Sequence, residues 1–145
     1  MSQGGLAVST ETKFLDAQDV RYAYREMGPR GETPLLLCHR FGATMDDWDP
    51  ALIDALAAER HVILFENAGV GLSTGDVPAS IKGMADRAAQ FIAAMGLLDV
   101  DLLGFSMGGY VDQIVTLDNL HLVRKLVLAP GASVDLEIGA NVLRL

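Results

Sequence analysis

Hydrophobic residues follow two different spacings along the chain, and each spacing predicts a different element. Near the start, a strand-like run, TKFLDAQ, precedes a stretch in which Val20, Tyr22 and Tyr24 alternate with Arg21 and Arg25. Period-two alternation predicts a strand with one wetter face. Four later runs, PLLLCHR, HVILFENA, VDLLGFS and RKLVLAP, are apolar at consecutive positions. Such runs are typical of strands buried on both faces of a parallel sheet.

Helical segments are predicted between these apolar runs. Asp49 is a favourable cap, and Pro50 a favourable first residue, for the segment ALIDALAAE. Ser80 is expected to cap a second helix with apolar residues at helical spacing, and MGGYVDQIVTLDN is the third helical segment. Two hairpin-like strands followed by alternating strands and helices predict an α/β fold. We expect one domain over residues 1–145, with a mostly parallel sheet of about six strands and flanking helices.

Composition and hydropathy argue against nucleic acids and membranes as binding partners. The 145 residues include 19 acidic and 11 basic side chains, which gives a formal net charge of −8. Such a chain repels phosphate backbones, so nucleic-acid binding is not expected. The N-terminal residues lack the pattern of a signal peptide, and no apolar run approaches the ~18 residues of a membrane span. We therefore expect a cytoplasmic protein with no membrane partner.

The single cysteine, Cys38, is expected to be a buried core residue.

The stretch LLGFSMGGYV, residues 102–111, carries the strongest candidate chemistry. Ser106 lies at the join between an apolar strand and a helical segment, with Gly104 two residues before it and Gly108 two residues after it. A sharp strand-to-helix turn needs small residues at those positions. It projects the serine hydroxyl at the carboxyl edge of the sheet and leaves the Met107 N–H free to donate to a developing oxyanion. The alternative is that Ser106 only caps the helix.

Three motifs together resemble the α/β-hydrolase family, over residues Phe14 to Leu128. LLLCHRFGATMDDWDP looks like the third strand and oxyanion loop of that family, VILFENAGVGLSTG like its fourth strand and glycine turn, and LLGFSMGGYV like its nucleophile elbow. The resemblance implies that Ser106 is the nucleophile and that the backbone N–H groups of Phe41 and Met107 form the oxyanion hole. It also implies that His39 orients the oxyanion loop. No cofactor and no metal ion are implied.

The base and the acid of the family come after the serine, and this chain has no evident counterpart for the base. His61 precedes the fourth strand and is expected at the edge of the sheet opposite Ser106. His121 follows the helix after the serine, and a helix of that length separates the two residues by ~20 Å. Asp135 and Glu137 follow the sixth strand, where some members of the family place their acid. An acid without a base does not activate a serine.

Three other residues depart from the pattern of the family. Arg40 stands where a glycine is most common, beside the oxyanion loop, and either binds a substrate carboxylate or reaches into solvent. Glu66 replaces the usual Asp after the fourth strand. Asp112 lies inside the helix after Ser106, where the family commonly has a small apolar residue. It is either a buried carboxylate or a solvated helix position, and the solvated position is the preferred interpretation.

The resemblance implies a serine hydrolase of the α/β-hydrolase type that acts on an ester, amide or similar bond of a small molecule. The alternative is a catalytically inactive, truncated hydrolase or pseudoenzyme that acts as a binding or interaction module. The seventh and eighth strands and the helical cap of the family are expected to have no counterpart in residues 1–145. The sixth strand would then be a sheet edge with Leu126 to Leu128 unpaired, and such an edge favours self-association or a partner that supplies strands.

Overall fold

The apolar runs of the sequence form neighbouring strands of one sheet. A computed structural model describes residues 5–129 and 142–144. Within these residues the sheet has the order β1-β2-β4-β3-β5-β6-β7. The pairs β1–β2 and β2–β4 are antiparallel, and the other pairs are parallel. The strands are β1 (Lys13–Ala17), β2 (Val20–Met27), β3 (Leu35–Cys38), β4 (Val62–Phe65), β5 (Val100–Gly104), β6 (Val123–Leu128) and β7 (Val142–Arg144). The predicted α/β fold with a mostly parallel sheet is confirmed.

The helices begin at the residues that the sequence marks. They are α1 (Leu6–Ser9), α2 (Pro50–Ala57), α3 (Ile81–Ala94) and α4 (Met107–Asp118), with one 3-10 turn at Met45–Asp47. The Asp49 carboxylate accepts from the Ala51 N–H at 2.9 Å, and the Ser80 hydroxyl accepts from the Gly83 N–H at 3.0 Å. Both caps are as predicted, because each side chain replaces a backbone acceptor that the first helical turn lacks. No helix in the described ranges is long and apolar enough to cross a membrane.

The far side of the sixth strand differs from the expectation. The strand β7 runs parallel to β6 and pairs with Leu126, Val127 and Leu128. The expected unpaired edge at these residues is therefore wrong, since the chain itself covers it. Within the described residues the sheet edge lies one strand further out, at β7, which gives seven strands where about six were expected. Self-association stays a prediction, to be measured by light scattering.

Each central strand contributes to two separate cores. Leu36, Ile63 and Leu102 face α3 and α4, whereas Leu35 and Leu37 face α2 and the 3-10 turn. Successive side chains of a strand point to opposite faces of the sheet, so a strand that is covered on both sides must be apolar at consecutive positions. This explains the continuous apolar runs of the sequence.

The amino edge of the sheet is held by a buried ion-pair cluster. Asp101 on β5 is 1% exposed, and its carboxylate accepts from Arg60 at 2.8 Å and from Arg124 at 2.7 Å. Burial raises the pKa of this carboxyl, but the hydrogen bonds from the two arginines outweigh it and hold the pKa below the usual value. The cluster joins the turn after α2 to β5 and β6.

The helix α4 lies unusually close to the carboxyl ends of β3 and β5. A Cβ atom added at Gly108 would overlap the carbonyl group of Cys38 and lie 2.7 Å from the carbonyl oxygen of His39. A Cβ atom added at Gly104 would lie 2.5 Å from the Cα atom of Gly109. Both contacts are with backbone, which cannot move aside as a side chain can. The two glycines flanking the serine therefore set the distance between helix and sheet.

We predict that Gly108→Ala lowers the free energy of unfolding by about 3 kcal/mol, at the upper end of the range for overpacked sites. The matched control is Gly96→Ala, where the added methyl meets open space but the backbone has φ +76°. That change is expected to cost only about 1 kcal/mol, from the left-handed backbone alone. Urea denaturation measures both. A Gly108→Ala protein no less stable than Gly96→Ala would contradict the close approach of α4 to β3.

Candidate active site

Ser106 lies at the start of α4 in a conformation that serine rarely adopts. Its backbone has φ 56° and ψ −122°, and its side chain makes no hydrogen bond that caps the helix. Ser80 provides a comparison, because it caps α3 with φ −139° and an accepted N–H bond. Ser106 therefore does not cap α4 through its hydroxyl. A strained backbone of this kind costs of order 1–3 kcal/mol and persists only where the surrounding structure enforces it.

Two backbone donors lie near Ser106 without an internal partner. Among the described residues, neither the Phe41 N–H nor the Met107 N–H has a hydrogen-bond acceptor. Met107 is the first residue of α4, where the helix dipole favours negative charge. Phe41 lies in the turn closed by the Ala43 N–H and the Arg40 carbonyl at 3.2 Å. Both residues line one cleft, so their N–H groups are candidates to hold an oxyanion there.

His39 is held in place by its neighbours. Its Nδ1 atom accepts from the Arg40 N–H at 2.7 Å. Its ring lies 4.0 Å from the Trp48 ring and 5.8 Å, edge-on, from the Phe105 ring, measured between centroids. Burial lowers the pKa of His39, so the ring is neutral near pH 7. These contacts fit a residue that orients the loop leading to Phe41.

Glu66 joins the two loops that border the cleft. It is 5% exposed, and its carboxylate accepts from the Met45 N–H at 3.1 Å and from the Leu72 N–H at 2.9 Å. Gly71 packs against this carboxylate, since a Cβ atom there would lie 2.5 Å from it. The sequence showed the replacement of Asp by Glu but gave no sign of this double contact. Folding brings the N–H groups of Met45 and Leu72 to the two oxygens of the Glu66 carboxylate, and the local sequence around Glu66 does not show this.

Asp112 is fully buried, so its interpretation as a solvated helix position is wrong. It is 0% exposed, and its carboxylate has no hydrogen bond of normal geometry within the described part of the chain. Burial raises the pKa of Asp112 well above its usual value, and the nearby Cys38 thiol only partly opposes this. Burial also raises the pKa of the Cys38 thiol. The expected burial of Cys38 is confirmed, at 6% exposure.

The cleft beside these residues is mostly apolar. Its volume is about 620 Å3 when the open solvent at its mouth is included. Its lining residues are Cys38, His39, Arg40, Phe41, Gly42, Ala43, Phe65, Asn67, Ala68, Val70, Val77, Pro78, Met84, Met107, Gly108 and Val111. Ser106 is next to this lining, not part of it. Asn67 is already engaged, because its side chain donates to the Met84 carbonyl and accepts from the Ala68 N–H.

The remaining candidates do not join Ser106. His61 precedes β4 at the amino edge of the sheet, where its Nε2 atom lies 3.4 Å from the Glu26 carboxylate. His121 is exposed beyond the far end of α4, and the 12 residues of that helix place it ~18 Å along the helix axis. Asp135 and Glu137 lie outside the described residues. Within those residues no group of three or more metal-ligating side chains is present.

Residues 33–141 match the model of the alpha/beta hydrolase fold. The chain belongs to the α/β-hydrolase fold family.

Individual members of the family show how much of the fold is present. The chain is 37% identical to a protein of Azorhizobium caulinodans named "Putative carbamate hydrolase RutD", over 68% of this chain and 37% of that protein. It is 35% identical to the poly(3-hydroxyalkanoate) depolymerase of Ectopseudomonas oleovorans, over 84% of this chain and 43% of that protein. The solved α/β-hydrolase fold protein of Chitinophaga pinensis superposes with a TM-score of 0.83 at 35% identity, over 85% of this chain and 45% of that one. The chain thus spans less than half the length of these relatives.

The strain at Ser106 yields a test of the α/β-hydrolase turn. We predict that Ser106→Gly raises the free energy of unfolding by about 1 kcal/mol, because glycine adopts positive φ without steric cost. Ser106→Ala keeps the strain and should change stability by less than about 0.5 kcal/mol, since the hydroxyl makes no capping bond. Thermal and urea denaturation of the two variants measure the difference. Equal stabilities would argue that the turn is relaxed.

Asp112 yields a prediction about pH. Because its pKa is higher in the folded than in the unfolded chain, it contributes stability below the usual value of 3.8. That contribution is lost as the pH rises through the raised folded value. Wild type should therefore lose stability relative to Asp112→Asn as the pH rises from about 4, by up to about 1.4 kcal/mol per pH unit. The exposed Asp76→Asn is the control and should follow wild type. Parallel profiles for wild type and Asp112→Asn would show that the carboxyl is not buried.

Proposed function

We propose that this chain carries the nucleophile and the oxyanion donors of a serine hydrolase that cleaves an ester, amide or similar bond of a small molecule. The observation that carries the proposal is the arrangement at the start of α4. There, Ser106 has a strained backbone and a hydroxyl with no hydrogen bond to the described residues. The N–H groups of Phe41 and Met107 have no acceptor among those residues, and both residues line one largely apolar cleft. The names of the two relatives, a carbamate hydrolase and a poly(3-hydroxyalkanoate) depolymerase, support acyl-bond cleavage.

In the proposed reaction the Ser106 hydroxyl attacks the carbonyl carbon of the substrate. The carbonyl oxygen becomes an oxyanion and accepts from the Phe41 and Met107 N–H groups; one such donor contributes about 10²–10³ to the rate in other enzymes. The leaving group then departs, and water hydrolyses the acyl-serine. Both steps need a base, which takes the proton from the hydroxyl and passes it to the leaving group, then takes a proton from water and returns it to Ser106. His61 and His121 lie away from Ser106, and the Nδ1 atom of His39 already accepts from the Arg40 N–H. The proposal therefore takes the base from outside residues 5–129.

A binding module is the second candidate. It is favoured by the same absence of a suitably placed histidine within the described residues. A serine without a base retains only the modest effect of the oxyanion donors and of substrate binding. The apolar cleft would then hold a ligand without converting it.

An imidazole rescue experiment separates the two candidates. We predict that the 145-residue chain alone hydrolyses a short aryl ester slowly or not at all. Added imidazole should accelerate the hydrolysis by wild type more than that by Ser106→Ala, because free imidazole supplies the missing base. The Ser106→Ala protein is the matched control for direct attack of imidazole on the ester. Intact mass should also show one acyl group on wild type, which peptide mapping places on Ser106.

Two outcomes would change this conclusion. Rapid turnover without imidazole that depends on Ser106 would show that a base is present which the described residues do not reveal. Equal rates for wild type and Ser106→Ala at all imidazole concentrations, with no acylation of Ser106, would exclude a nucleophilic serine and leave the binding module.

A further inference from the structure

The cleft beside Ser106 has an unusual charge for this protein. The chain carries 19 acidic side chains and a formal net charge of −8, yet among the residues that the structure describes no Asp or Glu lines the cleft. Of the described lining residues, only Arg40 has a permanent charge, and that charge is positive. The described lining of the cleft thus carries a charge of opposite sign to the net charge of the chain.

Arg40 also differs from the other arginines. Each of the other arginine side chains that the structure describes forms an ion pair with a carboxylate, at Arg21, Arg25, Arg30, Arg60, Arg87 and Arg124. Arg40 forms none with a described residue. The Asp47 carboxylate accepts from the Thr44 N–H at 2.8 Å. This hydrogen bond and, to a smaller extent, the charge of Arg40 lower the pKa of Asp47, but the two side chains form no ion pair. The Arg40 guanidinium therefore has its donors available.

The backbone of Arg40 is fixed, whereas its side chain is exposed. Its N–H donates to the His39 ring at 2.7 Å, and its carbonyl accepts from the Ala43 N–H at 3.2 Å. The next residue is Phe41, whose N–H is a candidate oxyanion donor. Because Arg40 lines the cleft and is exposed, a group bound by the guanidinium would lie where the cleft meets solvent.

We propose that Arg40 binds a carboxylate of the substrate, so that the substrate is an ester or amide that also carries a free carboxylate. The proposal rests on the proposed function, because only a hydrolase would have such a substrate. The binding of a carboxylate by Arg40 does not itself require catalysis. A guanidinium presents paired N–H donors that match the two oxygens of a carboxylate. The rest of the lining, which is largely apolar, suits a hydrocarbon segment between the carboxylate and the scissile bond.

Ligand binding tests this directly, with two probes of the same shape. They are 4-phenylbutyrate, which is anionic, and 4-phenylbutyramide, which is neutral. Trp48 is the single tryptophan, and its ring lies against that of His39, so its fluorescence reports on the cleft. Because Arg40 is exposed, the charged contact is partly screened. We expect the carboxylate to bind about three- to tenfold more tightly than the amide.

The variants assign this preference to one side chain. Arg40→Gln should abolish the preference and leave the affinity for the amide unchanged, which also shows that the cleft is intact. Arg40→Lys should keep part of the preference. Lys125→Gln removes a positive charge from an exposed position on β6. This control variant should keep the full preference for the carboxylate. Wild type that binds both probes equally, or neither, would overturn the proposal, as would a preference that survives in Arg40→Gln.

Repeating the titration with Ser106→Ala separates this proposal from the proposed hydrolase activity. The preference for the carboxylate should be unchanged in that variant, because Ser106 is not needed for binding. If the serine is shown not to be nucleophilic while the preference depends on Arg40, the anion site stands and the hydrolase proposal fails. If Ser106 is acylated but the preference for the carboxylate is absent, the hydrolase proposal stands and the anion site fails.

Discussion

The close contact between α4 and the ends of β3 and β5 is the constraint on which the site depends. Gly108 touches the backbone carbonyl groups of Cys38 and His39, and Gly104 touches Gly109. With the helix this close to the sheet, the chain has to reverse direction within Phe105 and Ser106. The positive φ of Ser106 is the result. The same contact brings the first N–H groups of α4 to the carboxyl edge of β3, where the loop containing Phe41 begins.

Charge is distributed differently at the two edges of the sheet. At the amino edge, Asp101 is buried with two arginines and stays ionised. At the carboxyl edge the buried Asp112 has no cation beside it among the described residues, and burial raises its pKa. A buried charge needs a partner, and without one a carboxyl group takes up a proton instead. Burial therefore disfavours a negative charge on Asp112, whereas the carboxylates at this edge that remain, those of Glu66 and Asp47, accept hydrogen bonds from backbone N–H groups.

The sequence predicted the parts of the structure that depend on local patterns. Consecutive apolar residues predicted the central strands, and Asp49 and Ser80 predicted the starts of two helices. The spacing of Gly104 and Gly108 around Ser106 predicted the sharp turn. Three features depend on contacts between distant residues and were not predicted. The pairing of β7 with β6, the double contact of Glu66 and the burial of Asp112 all follow from packing. Asp112 is buried because α3, β5 and β6 all pack around α4, which helical spacing alone does not show.

The two serines at helix starts show why strain favours a chemical role for Ser106. Ser80 has an extended backbone and its hydroxyl accepts from the Gly83 N–H, so it contributes to helix stability in the usual way. Ser106 occupies the equivalent position of α4, but with positive φ and no capping bond. Its hydroxyl does not offset the cost of its backbone, and glycine would fit the same conformation without that cost. A serine at this position lowers stability relative to glycine, and the nucleophilic role that we propose for Ser106 would account for the loss.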